Sequence, residues 1–360
     1  MVVLAVAEAI ALQGIALRAT ALQGGLSTEE LRGAPTPVVD GRNVTFVAAG
    51  EPADPPRIVA DFNGWDPAGG AMTRAGNSGF YTLRARLDPA ARIEYLIAYR
   101  DRFLVDPRNP LQVPSPTGAP RSELRMPDYR PPPAPARPAS PGQLQTIPFT
   151  SRSGESRRVR VHQPPNVSGP TPIVYVHDGI IAVEQLDMPA MIDALVASGR
   201  MAPITTVFIN SVDRYDDYAV GSMFSYVFTG EIVKVIEKQF PLLNQSRAVI
   251  GFSRSTVGAL DAALNGTVPF ARCGLVAPAM NSPTLLSVTR TPRAKPHVTI
   301  LAGTYDIPLI DDARALRKTL LSRRVPQEWL EIPQGHNHIA WRAQLSTLLP
   351  AWFPPLPSQR

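Results

Sequence analysis

The 360-residue chain is 44% hydrophobic and 18% charged, with 39 prolines, and is long enough for two domains that each bury a core. Its net charge of +6 and pI near 9.7 rest on scattered arginines. No dense Lys/Arg run with interleaved aromatics is present, which sets nucleic-acid binding aside. The single cysteine, Cys273, excludes an intrachain disulfide and a cysteine-rich metal site.

The chain opens with MVVLAVAEAIALQGIAL, apolar enough for the core of an export signal but lacking a basic start and carrying Glu8. Residues 1–33 therefore read as a leader or an N-terminal helix, and the compartment, cytoplasmic or periplasmic and secreted, stays open. No later stretch approaches a membrane span, so an integral membrane protein is not expected.

From residue 34 to 127 the text is all β. NVTFVAA, RIVADF, GFYTLRARL and ARIEYLIAYRDRFLV are short runs with partial period-2 alternation, separated by Gly, Pro, Asp and Asn. That spacing predicts a small Ig-like β-sandwich. PDYRPPPAPARPASPG follows, and residues 128–142 read as a semi-rigid, proline-rich linker.

Residues 143–360 change rhythm to strand–helix alternation. TPIVYVHDG, ITTVFINSVD, RAVIGFS, HVTILAGTYD and VPQEWLEIP read as strands. FTGEIVKVIEKQFPLL, PLIDDARALRKTLLSRR and HIAWRAQLSTLLPAWF read as helices. The expected fold class is α/β, a mainly parallel sheet with helices on both faces, with ligands at the carboxyl ends of the strands. Cys273 lies in the apolar run FARCGLVAP and reads as a buried small residue.

Three strand ends carry the parts of an acyl-transfer apparatus. Ser253 follows AVIGF, Asp306 follows VTILAGTY and His336 follows EWLEIPQG. A serine hydroxyl is a poor nucleophile until an imidazole takes its proton and a carboxylate orients that imidazole. The order Ser…Asp…His is that of α/β-hydrolases. Each residue also has a plainer reading: Ser253 as a helix N-cap, Asp306 as a cap with the acid role falling to Asp311 or Asp312, and His336 in competition with His338. His162, His177 and His297 lie on or beside strands, where structural roles are expected. The nucleophile elbow G-x-S-x-G is incomplete, because Ser255 stands in place of its second glycine. No His-Glu-x-x-His or other ligand spacing appears, so neither a metal nor a cofactor is expected.

In these motifs, spread over about Leu144 to Phe353, the chain resembles the enterochelin-esterase and esterase D branch of the α/β-hydrolases, which also holds feruloyl and acetyl-xylan esterases. RRVRVHQPPN, PIVYVHDG, NSVDRYDDY, GEIVKVIEKQF, GTYD and GHNHIAWR carry the resemblance in order. VADFNGWDP and GFYTLRARL resemble early-set sandwiches of the glycogen-binding or isoamylase N-terminal kind. The resemblance implies a carboxylic ester hydrolase with Ser253 as nucleophile, Asp306 as acid and His336 as base. It implies an oxyanion hole from the Arg254 backbone N–H and one N–H of the Asp178–Gly179–Ile180 loop, Gly179 or Ile180. Asp178, Arg214, Arg254 and Trp341 are then candidate substrate contacts, with Arg214 either anchoring an anionic group or pairing with Asp216 or Asp217. Trp65 is a candidate sugar contact or a packing residue at the domain contact. The implied partner is a small ester, of a siderophore or an acylated carbohydrate. The alternatives are a non-catalytic carbohydrate- or partner-binding protein with a degenerate elbow and, further off, an acyltransferase. Oligomeric state is left open.

Overall fold

The structure, a computed structural model, describes residues 28–33, 35–115, 118–132, 140–167, 169–290 and 292–355. Most of the expected leader and the middle of the proline-rich stretch lie outside the described residues.

The N-terminal β-rich region consists of two antiparallel sheets. One runs Val38–Asp40, Asn43–Ala49, Phe80–Arg86, Thr73–Arg74; the other runs Arg57–Ala60, Arg92–Ala98, Arg121–Arg125, Gln112–Val113, with Phe103–Leu104 pairing Arg92–Ala98. Alternation turns Val44 and Phe46 of the first sheet toward Ile58, Ile93 and Tyr95 of the second, in one buried cluster. Phe46 and Tyr95 meet edge to face, with ring centroids 5.0 Å apart.

An eight-stranded sheet forms the rest. Its spatial order is Gln143–Thr150, Ser156–Gln163, Thr205–Ile209, Thr171–His177, Leu242–Phe252, Arg272–Val276, His297–Gly303 and Gln327–Ile332. The first two strands pair antiparallel, and the six from Thr205–Ile209 onward are mutually parallel. Strands covered on both faces read as continuous apolar runs. Here successive residues alternate between two cores, Tyr175, Val249 and Leu275 to one face and Val174, Val176 and Ile250 to the other. The run around Cys273 is a strand of this sheet, Arg272–Val276, beside the one that leads to Ser253; its thiol is wholly buried, and that burial pushes its pKa up. The expected amphipathic helix is Leu309–Ser322, burying Ile310, Ala313, Leu316 and Leu320 along one stripe. Helix Ser255–Asn265 is buried almost all round, which explains its alanine- and leucine-rich text. Among the described residues no helix is long and apolar enough to cross a membrane.

The β-rich region packs against the loops that follow the last two strands of the large sheet. The Arg92 N–H donates to the Pro333 carbonyl at 3.1 Å, and the Asp88 N–H donates to the Tyr305 hydroxyl at 2.8 Å. Gly64 lies against the Ile307 carbonyl, and a side chain at Gly335 would overlap the Asp61 carboxyl. The contact is charged and buried. Arg92, wholly inaccessible, pairs with Glu123 (2.5 Å) and Glu94 (3.0 Å), and Arg121 pairs with Glu94 at 3.1 Å. Removing Arg92 takes one partner from each of two buried carboxylates, leaving Glu94 to Arg121 and Glu123 to Arg125, at a cost of up to about 3–5 kcal/mol.

Asp61 sits in the same cluster. Burial, reinforced by the Glu94 carboxylate, pushes its pKa up to about 7, against the pull of hydrogen bonds from the Glu94 and Trp65 N–H groups and of the Arg92 charge. Its folded-state value thus exceeds the ordinary 3.8, so folding takes up a proton between the two. That contribution to stability is complete below about pH 4 and is lost as the pH rises to about 7. Asp61→Asn is expected to flatten this part of the profile: urea unfolding across that range should show wild type losing more stability than the variant. Parallel curves would contradict the assignment.

Candidate active site

Ser253 stands at the turn between strand Leu242–Phe252 and helix Ser255–Asn265 with φ of +51°, in the left-handed region that side chains other than glycine avoid. The neighbours hold it there. Its N–H donates to the Val276 carbonyl at 2.9 Å, and its own carbonyl accepts from the Thr256 hydroxyl at 2.6 Å and the Thr256 N–H at 3.1 Å. Gly251 must lack a side chain, because a Cβ there would meet the Ser255 carbonyl. Ser255, which occupies an elbow-glycine position, is wholly buried. Its hydroxyl folds back on the strand end, accepting from the Phe252 N–H at 2.8 Å and donating to the Phe252 carbonyl at 2.9 Å. The elbow forms with a serine in place of the glycine because that serine satisfies its own hydroxyl locally.

The other two strand ends converge on Ser253. His336 Nε2 is 3.0 Å from Ser253 Oγ, and His336 Nδ1 is 2.9 Å from Asp306 Oδ2. A carboxylate accepts, so Nδ1 carries the proton toward Asp306 and Nε2 is left to accept from the serine hydroxyl. Asp306 is 4% exposed and the His336 side chain 31%, an arrangement that shields the acid and opens the imidazole. Of the candidate acids, Asp306 is the one His336 reaches; Asp311 and Asp312 lie in the first turn of helix Leu309–Ser322, and Asp311 pairs with Arg314. His338 bonds neither Ser253 nor Asp306. Burial, with His336 and Arg121 nearby, lowers its pKa to about 4, so it is neutral above that pH. His162 is buried against Asp193 at 3.1 Å, and His177 stacks on Tyr218, its pKa lowered by burial to about 4. His297 begins its strand.

Four expectations around this centre are corrected. The Ile180 N–H donates to Asn210 Oδ1 at 2.7 Å, so it is already engaged. Gly179 opens a short helical stretch, where first-turn N–H groups have no intrahelical acceptor, and it packs so tightly on Phe208 and Ile209 that a side chain would not fit. Asp178 is not open to a ligand: it is 5% exposed and held bidentately by Arg214 at 3.0 and 2.6 Å. Arg214 therefore pairs with neither Asp216 nor Asp217, and Asp217 is bound instead by Arg157. Trp341 is 4% exposed and backs the site rather than lining it, stacked on Phe252 at 5.8 Å and edge-on to the His336 ring at 4.9 Å.

Arg254 is half-buried with its guanidinium over the Tyr215 ring at 5.4 Å, and its backbone N–H lies at the start of helix Ser255–Asn265. Trp65 is engaged in packing: its indole N–H donates to Asp61 at 3.1 Å and the Arg121 guanidinium covers its ring at 4.2 Å. Sequence reasoning missed Asn337, Asp61, Arg92 and Asn210. Asn337 carried a signal, an asparagine just before a helix, and it does cap helix His338–Trp352 by accepting from the Ala340 N–H at 2.9 Å. Among the described residues, no three His, Cys, Asp or Glu side chains converge as a metal-ligand set.

A family profile described as "Putative esterase" matches residues 150–351. No curated protein matches the chain. Among solved structures, the enterochelin esterase of Shigella flexneri is 18% identical, with 87% of this chain and 93% of that chain aligned at a TM-score of 0.67. The ferric enterobactin esterase of Salmonella typhimurium is 17% identical, with 86% and 93% aligned at 0.67. The feruloyl esterase module of Clostridium thermocellum is 14% identical, with 64% and 96% aligned at 0.53. At these identities the likeness is one of fold.

The elbow yields a prediction of its own. Ser255→Ala removes the hydroxyl that pairs with the Phe252 N–H and carbonyl inside a buried turn. The expected loss is about 1–3 kcal/mol, read as a lower urea midpoint at unchanged slope. A variant as stable as wild type would show that the hydroxyl does not hold the turn.

Proposed function

The chain belongs to this esterase family and is a carboxylic ester hydrolase, and from that premise we propose that it works through Ser253, His336 and Asp306 and an acyl-enzyme. The observation that carries the reading is the unbroken hydrogen-bonded line from Ser253 Oγ through His336 to Asp306, at 3.0 and 2.9 Å.

His336 Nε2 takes the hydroxyl proton as Ser253 Oγ bonds to the ester carbonyl carbon. Asp306 keeps the imidazole in the required tautomer and offsets the charge it gains. The carbonyl oxygen, now an anion, is received by the N–H groups of Arg254 and Gly179, the first at the positive end of an eleven-residue helix. The C–O bond to the alcohol breaks, and His336 returns the proton to the departing oxygen. Water then repeats the sequence on the acyl-enzyme, with His336 again as base, and releases the acid.

The substrate is proposed to be an ester of a siderophore or of an acylated carbohydrate. Two observations support this class. Structures of like fold bear the names of enterobactin and feruloyl esterases. Beside the nucleophile, Arg254 and the exposed Tyr215 offer a cation and an aromatic face. Such a rim suits an acyl or alcohol part that is aromatic or anionic.

Initial rates on aryl, catecholate-type triester and feruloyl-sugar substrates test the reading. Ser253→Ala is expected to fall to background, and Asp306→Asn to lose about 10⁴-fold in kcat, as loss of the orienting carboxylate does in serine hydrolases. Wild-type turnover in either variant would contradict it.

A further inference from the structure

Arginine is almost never fully buried unless its donors are paired. Arg92 begins strand Arg92–Ala98 of the β-rich region and has no exposed surface. Two of its three side-chain bonds stay within that region, from Nε to Glu123 and from one terminal nitrogen to Glu94. The third crosses the contact: the other terminal nitrogen donates to Asn337 Oδ1 at 3.0 Å. Asn337 follows His336 directly. The same Oδ1 caps the helix that leads away from the loop, so one oxygen ties the loop both to its own helix and to the β-rich region.

Other parts of the loop meet the same region, while the Gln334 carbonyl accepts from the Tyr305 N–H on the large-sheet side at 3.1 Å. Pro333 accepts from the Arg92 N–H, Gly335 rests on the Asp61 carboxyl, and the Asn337 amide faces Asp61 Oδ2 at 3.5 Å. On the other side of His336, the Trp341 ring supplies one edge contact. The imidazole itself is part-exposed and depends on its loop for its place. General-base geometry tolerates little error: a displacement of about 1 Å at a reacting group costs on the order of 100-fold in rate.

We propose that Arg92 is a positioning residue for His336, acting from the β-rich region through Asn337. The planar guanidinium fork lets one side chain neutralise two buried glutamates and still aim a donor at the loop. On this account the β-rich region completes the hydrolytic centre. The proposal rests on the triad reading above.

Two full-length variants test it. Asn337→Ser keeps a capping hydroxyl for the helix but is too short to meet Arg92. Arg92→Lys keeps the charge near Glu94 and Glu123 but loses the fork. Both are assayed on an aryl ester well below their unfolding temperatures, with foldedness checked by circular dichroism. The expected result is a fall of about 10- to 100-fold in kcat with KM within about threefold, and a parallel fall in the rate of fluorophosphonate capture. A role confined to stability would lower the unfolding temperature and leave kcat per folded molecule unchanged; that result would overturn the proposal. Should Arg92→Lys fail to fold, Asn337→Ser decides alone. Ser253→Ala separates the two layers. If it is inert while Asn337→Ser turns over like wild type, only the positioning role falls. If it turns over like wild type, the triad reading falls and takes this proposal with it.

Discussion

The structure turns on one strained residue. Ser253 holds a left-handed backbone conformation that costs a side-chain-bearing residue about 1–3 kcal/mol, and everything around it serves to hold it there. Gly251 lets strand and helix close, the Val276 carbonyl fixes the amide, and the Thr256 hydroxyl fixes the carbonyl. The strain lifts the hydroxyl off the end of a buried parallel strand and sets the following amide at a helix N-terminus. A serine at the next elbow position is tolerated because its hydroxyl bonds back to Phe252, so the loss of a glycine does not open the turn. The departure that looked most damaging in the sequence is compensated by the residue that causes it.

The remaining parts are held by different physics. Asp306 and His336 stand on loops after two neighbouring parallel strands, and loops of that kind are soft unless something packs on them. Here the β-rich region does so, through Asp88 on Tyr305, Gly64 on Ile307, and Arg92 and Asp61 on residues 333–337. The contact is made of buried charge. Such charge adds little net stability but punishes misalignment severely, since each unpaired group is expensive to leave in a dry interior. A charged joint is therefore well suited to fixing a loop in one place.

Much of this was legible in the chain. Alternating apolar strands and helices, the order Ser253, Asp306, His336, and their positions just past strand ends are local properties, and local properties survive in text. What escaped was the choice of partner. Arg214 has acidic neighbours at 216 and 217, yet it pairs with Asp178, which only the fold brings beside it. Trp341 sits in a motif that suggests a ligand contact, but helix geometry turns its ring onto Phe252 and behind His336. Ile180 lost its expected N–H to Asn210, a residue from another strand end. Arg92 and Asp61 lie 245 and 276 positions before Asn337, and no pattern in the chain joins them. The strand around Cys273 read only as an apolar run because five residues, four of them buried, are too few to show a period.

The most direct measurement of the account is intact-mass spectrometry of the folded full-length protein after exposure to a fluorophosphonate, followed by peptide mapping. The account predicts a single adduct on the peptide that contains Ser253, since a hydroxyl lined up with His336 and Asp306 attacks phosphorus as it would an ester carbonyl. No adduct on the folded protein, or an adduct on any other residue, would contradict it.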